Sequence, residues 1–292
     1  MTLFINYTLN GVSAGVIYAA VALGLVLIWR STQILNFAQG GMAMFTTYIA
    51  STLLQHSFGY WEALVVALVA GLALGAATER VLIRPVEGRS PIDAVIVAIG
   101  FLIFIEALAG AIWGSDLRAF PAPFRQVGYV LAGHPLAFTP FDLFVVGSVL
   151  LLMALMLVLF RFTAVGLRMR ASAFAPEVAR LLGVRVKRML TLGWALAAMA
   201  GALAGVFIAP KVFLSPNYMD SILIYGFTAA IVGGLESPVG SLVGGLVTGL
   251  ALSYVGGYVG ESFEPTGALG LLVVVLMARP SGLFSRVQPR RV

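Results

Sequence analysis

The sequence predicts an all-α protein, a bundle of about eight to ten transmembrane helices with one short cytoplasmic helix. Of its 292 residues, 60% are hydrophobic and only 10% are charged, whereas a soluble domain is about one quarter charged. The mean hydropathy of +1.01 agrees with this composition. Apolar runs recur along the whole chain, and a run of roughly 20 residues crosses a bilayer as a helix.

Nine apolar runs are long enough, or nearly long enough, to cross the hydrocarbon core. The second, seventh and ninth are the shortest or the richest in polar and small residues. We expect one membrane domain over residues 1–292 and no separate soluble domain. The expected spans are 9–29, 38–55, 62–83, 92–113, 141–160, 190–209, 219–235, 239–258 and 266–279.

Basic residues are unevenly distributed between the two sides of the predicted spans. Fifteen of the 18 Lys and Arg residues fall in connections on one side, which the positive-inside rule makes cytoplasmic. The exceptions are Arg118, Arg125 and Lys211. The C-terminus and the connection 161–189 are therefore expected in the cytoplasm, and residues 114–140 on the outer side. The net charge of +6 follows from this asymmetry, so no nucleic-acid partner is expected.

The most charged stretch, RASAFAPEVARLLGVRVKRML, begins at Arg170 and predicts a short helix between two spans. Pro176 suits the first helical position, and Gly183 suits the left-handed position that follows the last turn. Glu177 falls in the first turn, where the helix dipole favours an acid. We therefore expect a helix of about two turns over 176–182.

This short helix has one apolar face. Val178, Leu181 and Leu182 share the face because of their i, i+3, i+4 spacing. A helix of this kind, joined to a span at each end, has the form of a lever that docks on a cytoplasmic partner. The alternative is a solvated basic loop that only sets the topology, and the basic residues fully satisfy that alternative.

Three stretches, in order along the chain, resemble segments of one family of transport proteins. PEVARLLG carries Glu177, Ala179 and Gly183 at the E-x-A-x-x-x-G positions of the loop that ABC importer permeases insert into their ATPase. ILNFAQGGMAMFTTYIA and AAIVGGLESPVGSLVGGLVTGL resemble the NFA-x-G entry and the glycine-rich segment of the branched-chain amino acid permeases of the LivH type. The resemblance extends over essentially the whole chain, with departures at Val178 and at 236–238.

The resemblance implies a permease subunit of an ATP-binding-cassette importer for branched-chain or related amino acids, in the bacterial cytoplasmic (inner) membrane. It implies three protein partners: cytoplasmic ATPase subunits that dock near 172–188, a second, LivM-like permease and an extracytoplasmic substrate-binding protein. The sequence has no G-x-x-x-x-G-K-[ST] motif, so ATP hydrolysis is expected on the partner and neither an enzymatic activity nor a cofactor is expected here. The ATPase-coupling residues implied are Glu177, Ala179, Arg180, Leu181, Leu182 and Gly183.

Polar residues within apolar runs are the candidates for the substrate pathway. Asn36 and Gln39 precede a predicted span, Thr46 and Thr47 lie within it, and Glu106 lies inside FLIFIEALAGAIW. A carboxylate within an apolar span is costly and usually faces the protein interior or water. Glu106 would sense a substrate ammonium or steer gating, pair with an arginine, or lie near enough to the outer interface to be solvated. The amides and hydroxyls would line the path or join helices.

Small residues in the C-terminal third predict close helix packing, because glycine lets two backbones approach. Tyr225, Tyr254 and Tyr258 are expected to be interfacial anchors. The predicted packing glycines are Gly233, Gly234, Gly240, Gly244, Gly245 and Gly249.

Three other functions are considered. The same kind of importer would carry urea or short amides, since those permeases are similar. An ion-coupled secondary carrier would favour paired intramembrane charges or broken helices around an ion site. An intramembrane enzyme would need a convergent catalytic set inside the spans, whereas His56 and His134 fall in connections and the chain has no Cys, so no metal site is expected.

Overall fold

The computed structural model describes residues 2–86, 90–131 and 134–284. Arg89, Arg286, Arg290 and Arg291, on which part of the orientation argument rests, lie outside the described residues, as does the C-terminus. Eleven α-helices occur within the described residues. In chain order they are α1 (Thr2–Thr32), α2 (Gln39–Gln55), α3 (Tyr60–Thr78), α4 (Pro91–Trp113), α5 (Pro140–Phe162), α6 (Ala164–Phe174), α7 (Pro176–Leu181), α8 (Val186–Ile208), α9 (Asp220–Gly233), α10 (Pro238–Tyr258) and α11 (Glu264–Ala278).

Nine of these helices coincide with the nine predicted spans, and α6 and α7 form the connection between the fifth and the sixth. Seven helical segments in the described residues are long and apolar enough to cross a membrane. The helices α2, with 17 residues, and α9, with 14, are shorter. The last segment reaches 18 residues only together with a 3₁₀ turn, Glu261–Phe263, that precedes α11. The prediction of a polytopic, all-helical bundle is confirmed.

The centre of the bundle is formed by α1 and α8. In α1, 89% of the helix's most apolar 18-residue stretch is buried inside the protein, and in α8 the share is 78%. The corresponding share is 17% in α4 and 6% in the last segment. A helix that is apolar all round and buried by protein belongs to the core, whereas an apolar helix that protein leaves uncovered faces lipid or another subunit. The helices α4 and α11 are therefore peripheral.

Glycines set the distance between α1 and α10. A Cβ added to Gly11 would lie 2.8 Å from Leu250 Cα, and one added to Gly15 would lie 2.7 Å from the Gly245 carbonyl oxygen. Gly249 of α10 lies against the backbone of Gly15 in the same contact. No side chain fits at these positions, so the two backbones pack directly on one another.

The other predicted packing glycines lie where α9 meets α10. Gly233 contacts Gly240, and Gly244 contacts the backbone of Ala229 and Gly233. Gly234 has a different role: it follows the last residue of α9 and ends the helix with a φ of +99°. All of these contacts lie within one chain.

The long connection between α4 and α5 forms a small ordered cap. Two short strands, β1 (Val130–Leu131) and β2 (His134–Pro135), pair in antiparallel fashion. The backbones of Arg118 and Leu214 form two hydrogen bonds, at 3.0 and 2.8 Å, which tie the cap to the segment after α8.

An ion pair joins three elements next to this cap. Lys211 Nζ lies 2.5 Å from Asp142 Oδ1, and Ser13 Oγ donates to the same oxygen at 2.5 Å. Asp142 also accepts from the hydroxyl of Thr139 at 2.7 Å. The buried carboxylate of Asp142 is therefore fully hydrogen-bonded, which offsets the cost of its burial, and it links α1, α5 and the end of α8.

Candidate functional site

The short helix α7 forms at the predicted position and is closed by a glycine. Pro176 is its first residue, and Gly183 follows it with a φ of +80°. The amide of Val184 donates to Ala179 O at 2.9 Å, and that of Gly183 donates to Arg180 O at 3.0 Å. This pair of bonds is the Schellman closure, in which the residue after the helix adopts the left-handed conformation.

The two faces of α7 have different environments. Ala179 is 2% exposed and packs with Val186 and Leu190 of α8 in a small apolar cluster. On the other face, Leu181 is 88% and Leu182 is 79% exposed, and Val178 is also exposed. One small side chain therefore anchors α7 to the bundle, while an apolar patch, defined here as Val178, Leu181 and Leu182, points away from it.

The two charged residues of α7 pair with each other. Arg180 Nη1 lies 2.7 Å from Glu177 Oε1, and both side chains are exposed. An exposed pair at i, i+3 contributes little to the free energy of unfolding. The two side chains can therefore separate and pair with charged groups of a protein partner at little cost in free energy.

Glu79 and Arg84 form an ion pair at the end of α3. This pair is hydrogen-bonded to α8, the helix that follows α7. The last turn of α3 widens into a π-helical turn, Glu79–Ile83, and continues as a 3₁₀ turn, Arg84–Val86. Thr191 of α8 donates to Glu79 Oε2 at 2.7 Å, and Arg84 Nη2 donates to Thr191 Oγ1 at 2.9 Å. Glu79 is 2% exposed. We call Glu79, Arg84 and Thr191 the brace.

The sequence alone does not single out the brace. In the sequence, Glu79 and Arg84 have the appearance of charges that end a span. The available signal was an acidic residue placed directly after an apolar run, five residues before an arginine. Thr191 had no signal, because its partner lies 112 residues away in sequence.

A cavity of about 320 Å³, lined by both apolar and polar side chains, lies between α7 and the brace. Its lining includes Glu79, Arg84, Arg180 and Ser172. The Ser172 hydroxyl is buried and has no hydrogen-bond partner among the described residues. Because a close-packed interior resists displacement, a helix that rests over a cavity can shift with less repacking than one embedded in the core.

The predicted pathway residues on α2 and just before it lie in the packed interior. Asn36 Nδ2 donates to Gln39 Oε1 at 3.2 Å, and Gln39 Nε2 donates to Ala197 O of α8 at 2.7 Å. Thr46 and Thr47 each donate to Ala43 O at 2.9 Å. All four side chains are fully buried, so in this conformation they support the alternative of joining helices, and a role in the pathway stays a prediction.

Glu106 has an acidic neighbour that the sequence did not suggest. Its half-buried side chain on α4 is close enough to Asp220, the first residue of α9, for the two carboxyl groups to interact. Among the described residues, neither carboxyl group forms an ion pair with Lys or Arg. Two carboxyl groups this close repel each other unless they share a proton or hold a cation. The pair is therefore suited to a positively charged ligand.

Comparisons with known proteins agree with this architecture. The family model described as "Branched-chain amino acid transport system / permease component" matches residues 7–278. The chain is 30% identical to the high-affinity branched-chain amino acid transport system permease protein LivH of Escherichia coli (strain K12), over 99% of this chain and 98% of that protein. It is 27% identical to the permease protein BraD of Pseudomonas aeruginosa, with the same coverage.

A solved structure shares the fold. PsaBC from Streptococcus pneumoniae, in complex with Fab, superimposes with a TM-score of 0.51 over 96% of this chain and 93% of that chain, at 14% identity. At this identity the likeness shows the fold alone. The sequence matches favour an amino acid permease over the urea permease and the secondary carrier. The chain belongs to the family of branched-chain amino acid transport system permease components.

Proposed function

We propose that the chain, as one domain over residues 1–292, is the permease subunit of an ATP-binding-cassette importer that moves branched-chain amino acids across the cytoplasmic membrane. The family match over residues 7–278, with relatives named as branched-chain amino acid permeases, supports the cargo. The observation that carries the mechanism is α7, a capped helix that presents an apolar patch outside the bundle.

The apolar patch is the docking surface for a cytoplasmic ATPase. Burying a large aliphatic side chain is worth about 1.5–3 kcal/mol, so the three residues of the patch provide a substantial gain on association. The sequence itself has no P-loop with which to hold ATP phosphates. The energy for uphill transport therefore comes from the partner, and the patch is where it enters.

The brace transmits the movement of α7 to the spans. Ala179 packs on Val186 and Leu190 at the start of α8. The residue after Leu190, Thr191, contacts Glu79 and Arg84 at the end of α3. A force on α7 thus acts on α8 first and, through the charged contact, on α3.

A second, homologous permease and an extracytoplasmic binding protein complete the importer. The sparse burial of α4 and α11 leaves apolar faces for lipid and for this second permease. The cap between α4 and α5 lies at the opposite end of the bundle from α7 and would receive the binding protein.

The orientation of the chain can be tested directly because it has no Cys. We place α7 and the C-terminus in the cytoplasm and the cap outside, as the basic residues indicate. A single cysteine at the exposed position Val127 should react with an impermeant maleimide added outside the cell. A single cysteine at the exposed position Leu181 should react only after the membrane is permeabilised. The opposite labelling pattern would reject the orientation.

The docking proposal is tested by purifying the tagged chain from its native membrane and identifying the ATPase that comes with it. Glu177→Arg should abolish co-purification, because it places two positive charges side by side on α7 and opposes the helix dipole. Glu177→Gln, which removes the charge without reversing it, is the matched control and should retain most of the ATPase. Unchanged co-purification in Glu177→Arg, with a normally folded chain, would reject α7 as the docking site.

A further inference from the structure

A polar crevice of about 300 Å³ lies between α1, α10 and α11, at the end of the bundle opposite α7. Its lining extends along α10 from Gly249 to Gly257, which corresponds to a depth of roughly 12 Å at 1.5 Å per residue. Tyr7, Tyr18 and Glu264 are among the residues that line it. Neither α7 nor the Glu106 pair belongs to this crevice.

A buried tyrosine at the crevice has no partner for its hydroxyl group. Tyr18 is 6% exposed, and its ring packs edge-on against Tyr225 with a centroid distance of 5.3 Å. No hydrogen bond of the Tyr18 hydroxyl to any part of the described chain occurs, although the residue lines the crevice. The Tyr18 ring is buried, and its hydroxyl group opens onto the crevice. A tyrosine in this setting usually has a hydrogen-bond partner for its hydroxyl group, and an occupant of the crevice would supply one.

Two carboxylates lie in the same lining. Glu261 and Glu264 both line the crevice together with Tyr18, and the Glu264 carboxylate lies against Gly256. Neither acid forms an ion pair within the described residues, and the lining contains no Lys or Arg. Two carboxylates without a basic partner attract positive charge, so the crevice is suited to a cation.

Two tyrosines, Tyr7 and Tyr18, form part of the crevice wall, and Tyr7 is fixed in position. The Tyr7 hydroxyl donates to Gly257 O at 3.0 Å, and Ser253 Oγ donates to Tyr7 O at 2.6 Å. The Tyr7 ring also packs edge-on against Tyr258 at 5.2 Å. Aromatic faces attract organic cations, and fixed side chains lose little entropy on binding.

A bare metal ion does not suit this crevice. Within the described residues, no group of three or more His, Cys, Asp and Glu is arranged to hold a metal. The aromatic walls and the volume of about 300 Å³ fit an organic group better. Among organic cations, one that carries N–H donors would satisfy both carboxylates and the oxygen of the Tyr18 hydroxyl.

We propose that the crevice between α1, α10 and α11 binds a primary ammonium group, with Glu264, Glu261 and the Tyr18 hydroxyl as acceptors. The ammonium belongs either to a free amino acid or to the headgroup of an aminophospholipid. The site does not depend on the ATPase contact or on the transported cargo proposed above, so it can fail without affecting either.

Binding of radiolabelled ethanolamine to the purified complex in phosphatidylcholine nanodiscs tests the proposal. Glu264→Gln should weaken binding about tenfold or more, since it removes a charge-assisted hydrogen bond. Tyr18→Phe should weaken it about fivefold, since it removes one neutral hydrogen bond. Asp116→Asn and Tyr129→Phe change exposed residues of the same types outside the crevice and should have no effect.

Choline separates a hydrogen-bonded ammonium from a cation held only by its charge, because choline has no N–H donor. Ethanolamine should bind at least about tenfold more tightly than choline. If Glu264→Gln unfolds the chain, as judged by its melting temperature, Glu261→Gln at the 3₁₀ turn serves in its place. Equal ethanolamine binding by the parent chain and the folded carboxamide variant, or equal binding of choline, would overturn the proposal.

Competition identifies the source of the ammonium. Displacement of ethanolamine by free leucine in phosphatidylcholine nanodiscs supports an amino acid ligand. No displacement by leucine, with phosphatidylethanolamine retained by the parent chain more than by Glu264→Gln in native mass spectrometry, supports a lipid headgroup. Failure of both measurements overturns the site.

Discussion

Glu79 and Arg84 form a two-point ion pair, with Arg84 Nε 3.1 Å from Oε1 and Nη2 2.8 Å from Oε2 of the glutamate. The carboxylate is almost completely buried, whereas the Arg84 side chain is 24% exposed. The pair lies where the π-helical turn Glu79–Ile83 meets the 3₁₀ turn, so the irregular backbone delivers the arginine to the acid. π-Helical turns are frequent at functional sites.

The brace is expected to couple α7 to the spans. Glu79→Gln should retain the fold and the ATPase contact but reduce the amount of substrate transported per ATP hydrolysed, because the charged link to Arg84 and Thr191 is lost. Arg84→Ala should be more damaging than the double change Glu79→Gln with Arg84→Gln, because it leaves a buried carboxylate without its cation. Transport and ATPase rates, with melting temperatures, measure these effects, and a normal transport ratio in Glu79→Gln would exclude the brace from coupling.

Gly183 is expected to be required for its backbone conformation alone. Its φ is +80°, and a Cβ at this position would meet no atom within 4 Å. A left-handed conformation costs an ordinary residue about 1–2 kcal/mol and costs asparagine less. Gly183→Asn should therefore retain more ATPase co-purification than Gly183→Ala, and Gly183→Val should retain least. Hydrogen exchange at the Val184 amide should be slowest in Gly183→Asn and fastest in Gly183→Val. Equal behaviour of Asn and Val would contradict the assignment.

Gly249 is expected to be required for packing. Gly249→Ala forces a methyl group onto the backbone of α1 at Gly15 and should lower stability by about 1–3 kcal/mol. Gly100→Ala is the matched control, because Gly100 also lies within a helix but a Cβ there meets nothing within 4 Å. The midpoint of unfolding in mild detergent should fall for the first variant only. Equal midpoints would mean that α1 and α10 are not packed as described.

Glu106 and Asp220 are expected to contact the ammonium group of the substrate. Glu106→Gln and Asp220→Asn should each raise the KM for leucine transport about tenfold, because each removes one charge from the pair. Neither change should affect ATPase co-purification, since both residues lie far along the bundle from α7. Asp116→Asn, an exposed change at the same end, is the control. An unchanged KM in both variants would make the pair structural.

Most of the fold follows from the lengths of the apolar runs. The nine predicted spans correspond to nine helices, because a 20-residue apolar segment has few alternatives to a membrane helix. The helix α7 was predictable for a local reason, since Pro176 and Gly183 mark its two ends. The short lengths of α2 and α9 were harder to predict from the sequence, because they depend on how each helix packs.

The contacts between distant residues were not predictable. An isolated sequence does not show that Thr191 lies against Glu79, or that Glu106 lies beside Asp220. The same limit applies to Gln39, for which the sequence permits either a pathway residue or a helix-joining residue. Its hydrogen bond to Ala197 O is a tertiary contact, and only the folded chain favours the second alternative.

The most direct measurement is leucine uptake by proteoliposomes that contain the purified chain with its co-purified permease and ATPases. We predict uptake that requires ATP on the ATPase side and a binding protein on the opposite side. This uptake should persist when ionophores collapse all ion gradients and should be lost with Glu177→Arg. Accumulation of leucine by the chain alone, driven by an ion gradient without ATP, would contradict the proposed importer and would leave α7 as a determinant of topology.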